Sequence, residues 1–337
     1  MSIFSVRHVT EYRYRRPVGF GEHRIMFRPR DSFDQRLIDA QLLVTPEPVS
    51  TQWIHDVFGN CVALLRFEEK AETLRFETRM QVEHASSGIP EFRIRDKVLH
   101  YPFQYDGEEL PDLSPTITRA FGQPGDEVER WARRFLSGKQ ETATGKLLMT
   151  MCYAIRESFR YSRRTEPGIQ RPAETLALGR GTCRDFALLM MEAVRSLGLA
   201  ARFVSGYIYV PSRDGSDTRG GGATHAWAQV YLPGAGWVEF DPTNGIVGNR
   251  DLIRVAVARD PAQAIPLSGS YYGAAEDDLG ISVQVNVTTD QNSEGGTEKP
   301  PVQGNEAPRE GFTERSRDRE PARSTHPPSP LREASRT

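Results

Sequence analysis

Cysteine is scarce in this chain of 337 residues: Cys61, Cys152 and Cys183 are all it has. The number is odd and no two are spaced as CxxC, which argues against a disulfide framework and against a zinc site built from thiolates. Free thiols fit a reducing compartment, so a cytoplasmic location is expected, and a thiol is then available as a nucleophile. Long apolar runs are missing as well. No stretch of about 18 apolar residues reads as a membrane-spanning helix. The opening MSIFSVRHVTEYRYRR is broken by charge from Arg7 onward, so export by a signal peptide is not expected. Charge of one sign is also lacking. The formal net charge of −2 gives no footing for nucleic acid or an anionic membrane, and neither is expected as a partner. No calcium-loop pattern or other cofactor signature occurs, so no metal or cofactor is expected; the short acidic run Glu276-Asp277-Asp278 reads as a solvated loop.

The first hundred residues read as β-rich. Leu74, Phe76, Thr78, Met80 and Val82 alternate with Arg75, Glu77, Arg79 and Gln81, the period of a strand with one wet face. Cys61, Ala63, Leu65 and Phe67 keep the same rhythm after a turn at Gly59-Asn60. Several short strands and few helical patterns predict a sandwich-like module over 1–100. A helical connector is expected over 101–140, with one helix starting at Ser114-Pro115 and stopping near Gly122, and another over Asp126–Ser137. Leu147, Met151, Ile155 and Phe159 recur every four residues and predict an amphipathic helix, with Cys152 as a small core residue beside the stripe. A further helix is predicted over Cys183–Leu197, its buried face marked by Phe186, Leu189, Met190, Ala193 and Leu197. Strands follow near Arg202–Val210, Thr224–Leu232 and Trp237–Asp241, the last two joined by the turn Pro233-Gly234-Ala235-Gly236. The expected fold class is therefore α+β: helices packed on an antiparallel sheet over 141–287, preceded by the β-sandwich-like domain. From Thr288 to Thr337 large apolar residues nearly vanish and Pro, Gly, Ser, Glu and Arg dominate, so a disordered tail is expected.

Three segments carry chemistry. Gly179-Arg180-Gly181-Thr182-Cys183-Arg184-Asp185-Phe186 places a cysteine at a helix start. The unpaired N–H groups and positive dipole there favour thiolate over thiol, and the Cys183 N–H could donate to a developing oxyanion. A cysteine at this place could equally just fill space. Thr224-His225-Ala226-Trp227-Ala228-Gln229-Val230-Tyr231 puts His225, Trp227, Gln229 and Tyr231 on one strand face, after the glycine-rich Arg219–Ala223, a candidate gate. Gly236–Asn244 ends its strand at Asp241, before Pro242. Taken singly, His225 reads as structural and Asp241 as a turn former. Together they supply what a thiol nucleophile needs, a base and a carboxylate to hold the base's tautomer. The simple hairpin register leaves His225 and Asp241 a few residues out of step, so a bulge or loop adjustment is expected to join them.

GTCRDFA, GLAARFVSGY and THAWAQVYLPGAGWVEFDPTN occur here in the order and spacing of the transglutaminase-like superfamily of papain-related thiol enzymes, which the chain resembles over about Leu147 to Gly248. Thr10–Arg30 and Trp53–Asn60 resemble the β-rich region that precedes this core in a bacterial subgroup, extending the likeness over roughly 1–287. The resemblance implies Cys183 as nucleophile, His225 as general base and acid, and Asp241 as the residue orienting it. It implies a peptide or protein substrate and an acyl-enzyme that water or an amine resolves. It also implies a second oxyanion donor upstream of the nucleophile, for which Tyr161 or a neighbour in Tyr161–Thr165 is a candidate, with core packing the competing role for Tyr161. Trp227 and Trp237 read as site walls or core. The leading function is a cysteine peptidase or amidase; the alternatives are a protein-glutamine acyltransferase and a binding module with a vestigial triad, against which stands the presence of all three roles.

Overall fold

A computed structural model describes residues 2–85, 93–123, 125–138, 141–162, 168–210 and 222–289; most of the expected tail lies outside them. The chain begins with β1 (Ser2–Phe20), β2 (His23–Ile25), β3 (Gln35–Thr45), β4 (Ser50–His55), β5 (Cys61–Arg66) and β6 (Ala71–His84). β6 keeps to its alternation: Leu74, Phe76, Thr78, Met80 and Val82 are buried, while Arg79 and Gln81 are exposed. Glu77 departs from the wet-face reading because Arg7, Arg75 and Arg79 close over it at 2.9, 2.6 and 2.8 Å. β6 pairs antiparallel with β1 and β3. β2, β5 and β4 form a second sheet, and Phe20, Ile25, Leu65, Leu74 and Phe76 fill the space between the two.

The connector holds β7 (His100–Tyr101), α1 (Leu110–Ile117) and α2 (Glu127–Arg133). α1 starts four residues before the expected Ser114 and ends short of Gly122. Pro111, not Pro115, occupies its first turn, where a missing N–H costs nothing, and Pro115 lies inside. The Asp126 side chain caps α2 by accepting from the Glu129 N–H at 2.9 Å. Then come β8 (Thr142–Ala143), which pairs with β7, α3 (Thr144–Ser158), β9 (Arg160–Tyr161), α4 (Pro172–Leu178), β10 (Arg180–Gly181), α5 (Cys183–Ser196), β11 (Ala201–Ile208), β12 (His225–Leu232), β13 (Gly236–Asp241), β14 (Ile246–Val247) and β15 (Leu252–Ala258). The core sheet is antiparallel, in the order β14-β13-β12-β11-β15.

α5 lies on one face of that sheet. Its Phe186, Leu189, Met190 and Ala193 share a core with Ala226, Ala228, Val230, Val238 and Phe240; each large apolar side chain buried there stabilises by about 1.5–3 kcal/mol. The burial exceeds the expected stripe, since Asp185 to Arg195 are all buried. The two charges near the helix end are satisfied inside the protein. Glu192 accepts from the Ala120 and Phe121 N–H groups and from Arg195, which in turn donates to the Thr116, Ala201 and Arg259 carbonyls.

The β-rich module packs on the end of β11 and the start of β15. Phe4, Val6, Met80 and Val82 pack on Tyr207, Ile253 and Val255. A bulge interrupts the β11–β15 ladder between Ser205 and Gly206, and two buried amides bind the free edge of β15. Gln35 bonds the Arg254 N–H and carbonyl at 2.9 and 2.8 Å. Asn60 bonds those of Val257 at 2.9 and 2.7 Å. An open strand edge is thereby closed by side chains.

After the core the chain returns to the module through β16 (Leu267–Ser268), which pairs with β2, and β17 (Tyr271–Tyr272) and β18 (Asp278–Thr289), which pair with β1. Two expectations are corrected here. Residues 278–289 complete the first sheet, beside β1, instead of belonging to the core or the tail. Glu276-Asp277-Asp278 is no free loop either: Asp277 is buried, paired with Arg16 at 2.9 Å and accepting from the Ala274 N–H.

Candidate active site

The approach to Cys183 is built turn by turn. α4 stops at Gly179, whose φ of 59° is left-handed and suits a residue without Cβ. β10 then pairs parallel with β9, setting Gly181 beside Tyr161. A Cβ on Gly181 would meet Phe186 and Asp185 at 3.2 and 3.0 Å, so a larger residue here would have to push them back by a few tenths of an ångström. Thr182 is the N-cap of α5. Asp185 accepts from the Thr182 N–H and hydroxyl, both at 2.9 Å, and from the Gln170 N–H at 2.7 Å. This buried carboxylate locks the first turn, and Cys183 is that turn's first residue, only 7% exposed. N–H groups of a first helical turn have no intrahelical acceptor; here the Asp185 N–H is taken by the Thr182 hydroxyl, which leaves that of Cys183 for an oxyanion.

His225 is the first residue of β12, and Asp241 the last of β13. Ala228 pairs with Phe240 in an unbroken ladder from Ala228 to Leu232, which puts Trp227 level with Asp241 and His225 one same-face position further. The two side chains therefore meet diagonally, His225 Nε2 to Asp241 Oδ2 at 2.8 Å, as neighbours on one face can. The expected bulge is not needed. Both side chains are fully buried. The segment after Asp241 holds its carboxylate: the Thr243 N–H donates to Oδ1 at 2.9 Å and Asn244 Nδ2 to Oδ2 at 2.8 Å. Trp227 stacks on the His225 ring with centroids 5.9 Å apart.

Burial alone would keep His225 neutral, but the Asp241 carboxylate, its hydrogen bond and the Cys183 sulfur outweigh it and raise the imidazole well above its ordinary range. Burial likewise opposes the Asp241 charge, yet His225, Asn244 and the Thr243 N–H hold it below the usual carboxylate value. Asp241 occupies Nε2, which leaves Nδ1 as the ring nitrogen for the thiol. Nδ1 is buried and has no hydrogen-bond partner among the described residues, yet Cys183 lies near enough for its sulfur to raise the imidazole. A catalytic contact that tightens only with substrate bound is common in resting thiol and serine sites. The arrangement can store an imidazolium between two anions, which is what proton shuttling at a thiolate demands.

Asn244 is absent from the residues that the sequence points to, although Asp-Pro-Thr-Asn offers a signal: an amide three residues past a strand-end carboxylate can fold back on it. α4 is also absent from the expected elements, despite Pro172 and Gly179 at its two ends. Tyr161 is half-buried against the core, while residues 163–165 of the candidate oxyanion segment and 211–221, with most of the expected gate, lie outside the described residues. Trp227 is fully buried, Trp237 half-buried at the sheet's far end. Cys152 packs in the core, its thiol pushed far up by burial and then by Asp241, and so is inert. Among the described residues no cluster of His, Cys, Asp or Glu is arranged to hold a metal.

Residues 129–242 match the transglutaminase-like superfamily, and residues 4–83 the bacterial transglutaminase-like N-terminal region. The uncharacterized protein Rv2569c of Mycobacterium tuberculosis is 30% identical over 292 residues, covering 84% of this chain and 92% of that one. The uncharacterized protein ML0607 of Mycobacterium leprae is 39% identical over 109 residues, 32% of this chain and 37% of that one. Among solved structures, a candidate cysteine protease from Cytophaga hutchinsonii superposes with a TM-score of 0.63 at 21% identity, over 89% of this chain and 93% of that one. That likeness shows a shared fold across the sandwich module and the core.

Proposed function

Because this chain belongs to the transglutaminase-like superfamily, we propose that it is a thiol-dependent amide-bond enzyme, a cysteine peptidase or amidase acting on peptide or isopeptide bonds. The observation that carries the reading is the buried 2.8 Å His225–Asp241 couple interacting with the helix-borne Cys183. In this reading the Cys183 thiolate attacks the amide carbonyl carbon and a C–S bond forms. The oxyanion is held by the Cys183 N–H in the first turn of α5. The imidazolium of His225 then gives its proton to the amide nitrogen as the C–N bond breaks, releasing an amine and leaving a thioester on Cys183. Water, deprotonated by the now neutral His225, cleaves the thioester to a carboxylic acid and the thiol. Asp241 stays ionised throughout and orients the ring.

Acyl transfer to an amine is the second reading. It is favoured by the near-complete burial of the three side chains, since a dry site slows hydrolysis of the thioester. Mass spectrometry of a glutamine-containing peptide, incubated with and without excess amine, separates the two. Hydrolysis that persists in excess amine supports the peptidase or amidase; amine incorporation that outpaces it supports the transferase. Neither product should form with Cys183→Ala, and turnover by that variant would overturn both.

A further inference from the structure

The core sheet has a second end. Tyr231 and Trp237 are paired across β12 and β13, about 20 Å along the strand from His225 and about 13 Å from Asp241 at the usual rise per residue. There the start of α1, the tip of the β4–β5 hairpin and the beginning of β11 enclose a cleft of about 580 Å³ that none of Cys183, His225 and Asp241 lines. Phe58, Leu113, Tyr231 and Trp237 give it apolar walls. Four charged groups also line it, Glu109, Asp112, Arg202 and Arg259, and two of them keep hydrogen-bonding capacity. The Arg202 guanidinium lies over the Trp237 ring at 4.1 Å and donates from Nε to Gln229 at 2.6 Å. Among the described residues its outer nitrogens have no hydrogen-bond or ion-pair partner. Glu109 accepts the Tyr231 hydroxyl on Oε1 at 2.9 Å, while its Oε2 is buried and has no partner among the described residues.

No ion pair joins Arg202 to Glu109, so one cleft presents a guanidinium, with the Glu239 charge acting on it from nearby, and a carboxylate that each keep hydrogen-bonding capacity unused among the described residues. A desolvated group in that condition is costly unless something completes it. The matching ligand carries a planar anion for the guanidinium fork and an N–H cation for the carboxylate, with apolar matter between. We propose that this cleft binds a short zwitterionic peptide or free α-amino acid with apolar side chains, its carboxylate on Arg202, its ammonium on Glu109 and its side chains against Phe58, Leu113 and Trp237. The volume suits a ligand of dipeptide size. The site is separate from the thiol centre, and the proposal stands whether or not that centre is a peptidase.

The test uses the full chain carrying Cys183→Ala, so that no probe is turned over. Leu-Leu, N-acetyl-Leu-Leu and Leu-Leu-amide are titrated calorimetrically against it, and again with Arg202→Gln or Glu109→Gln added. Leu-Leu should bind, and each capped form should bind at least about tenfold more weakly, the loss of one charge-assisted contact. Arg202→Gln should erase the preference for the acid over the amide, and Glu109→Gln the preference for the free amine over the acetylated one. If Arg202→Gln lowers the melting temperature, Arg202→Lys, which keeps the charge, should retain the acid preference. No binding of Leu-Leu up to about 10 mM would overturn the proposal. So would equal binding of the capped forms, or preferences that neither substitution changes, since these would put the dipeptide at another site.

Discussion

The two ends of one five-stranded sheet treat charge in opposite ways. At the His225 end the carboxylate of Asp241 receives hydrogen bonds from a ring, an amide side chain and a backbone N–H, all inside the protein. At the Trp237 end, Arg202 and Glu109 stand in a cleft with hydrogen-bonding capacity left over. The same two strands reach both ends. The difference lies in the segments that meet them there: Thr243 and Asn244 fold back on Asp241, whereas the far end meets elements from the connector and from the sandwich module, which bring walls and charges but, among the described residues, no ion pair to Arg202 or Glu109. A carboxylate whose hydrogen bonds all come from inside the protein is rigid and holds its histidine partner in a fixed place; charges with hydrogen-bonding capacity left over in a cleft are suited to a ligand.

The largest effect that would break this contrast is at the closed end. Asp241→Ala should lower stability by about 3–5 kcal/mol in chemical denaturation, because His225 would lose the partner of its buried charge. Asp241→Asn should fold better, with an activity loss of about 10²–10⁴. Stability should also depend on pH with a definite sign. His225 is raised from 6.5, so its contribution is complete below about pH 6.5 and lost as pH climbs through its folded value, about 10. Asp241 is lowered from 3.8, so its contribution is complete above that value and lost in acid. The melting-temperature gap between wild type and Asp241→Asn should therefore be widest between about pH 4 and pH 6.5 and narrow steadily towards pH 10; a gap that widens with alkali would refute the charge assignment. Next in size is the seam between module and core. Asn60→Ala should cost about 2–4 kcal/mol by leaving the Val257 N–H and carbonyl unpaired in a buried edge. At the open end, Glu109→Gln should change stability by less than about 1 kcal/mol. Removing residues 290–337 should move the melting temperature least, by about a degree or less, as their composition offers almost no apolar surface to bury.

Much of the site was legible where local chemistry decides. Glycines and Thr182 mark a helix start, so Cys183 could be placed at its N-terminus, and Pro233–Gly236 marks a hairpin, so His225 and Asp241 could be put on neighbouring strands. Their direct meeting was not legible, because spacing alone sets residues two out of step apart, whereas a diagonal pair on one face is close enough to touch. The β18 strand alternates Leu279, Ile281, Val283, Val285 and Val287 with small or polar residues, but nothing local says that its partner is β1, at the other end of the chain. The same limit hid Gln35 and Asn60, polar residues whose role exists only once β15 is folded beside them. The burial of α5 all round was invisible too, since Glu192 and Arg195 read as a wet face until the groups that satisfy them are brought in from α1 and the segment after it, from β11 and from the residue after β15.

The central claim is that His225 and Cys183 share a proton. The most direct measurement is the alkylation rate of Cys183 against pH, read by mass spectrometry on the intact protein, in wild type and in His225→Ala. Wild type should react nearly as fast at about pH 6 as at about pH 8, and His225→Ala only as alkali is approached, with the profile of a free thiol near about pH 8.5. Superimposable profiles, both slow at neutral pH, would contradict the claim and leave Cys183 a buried thiol beside an unrelated ion pair.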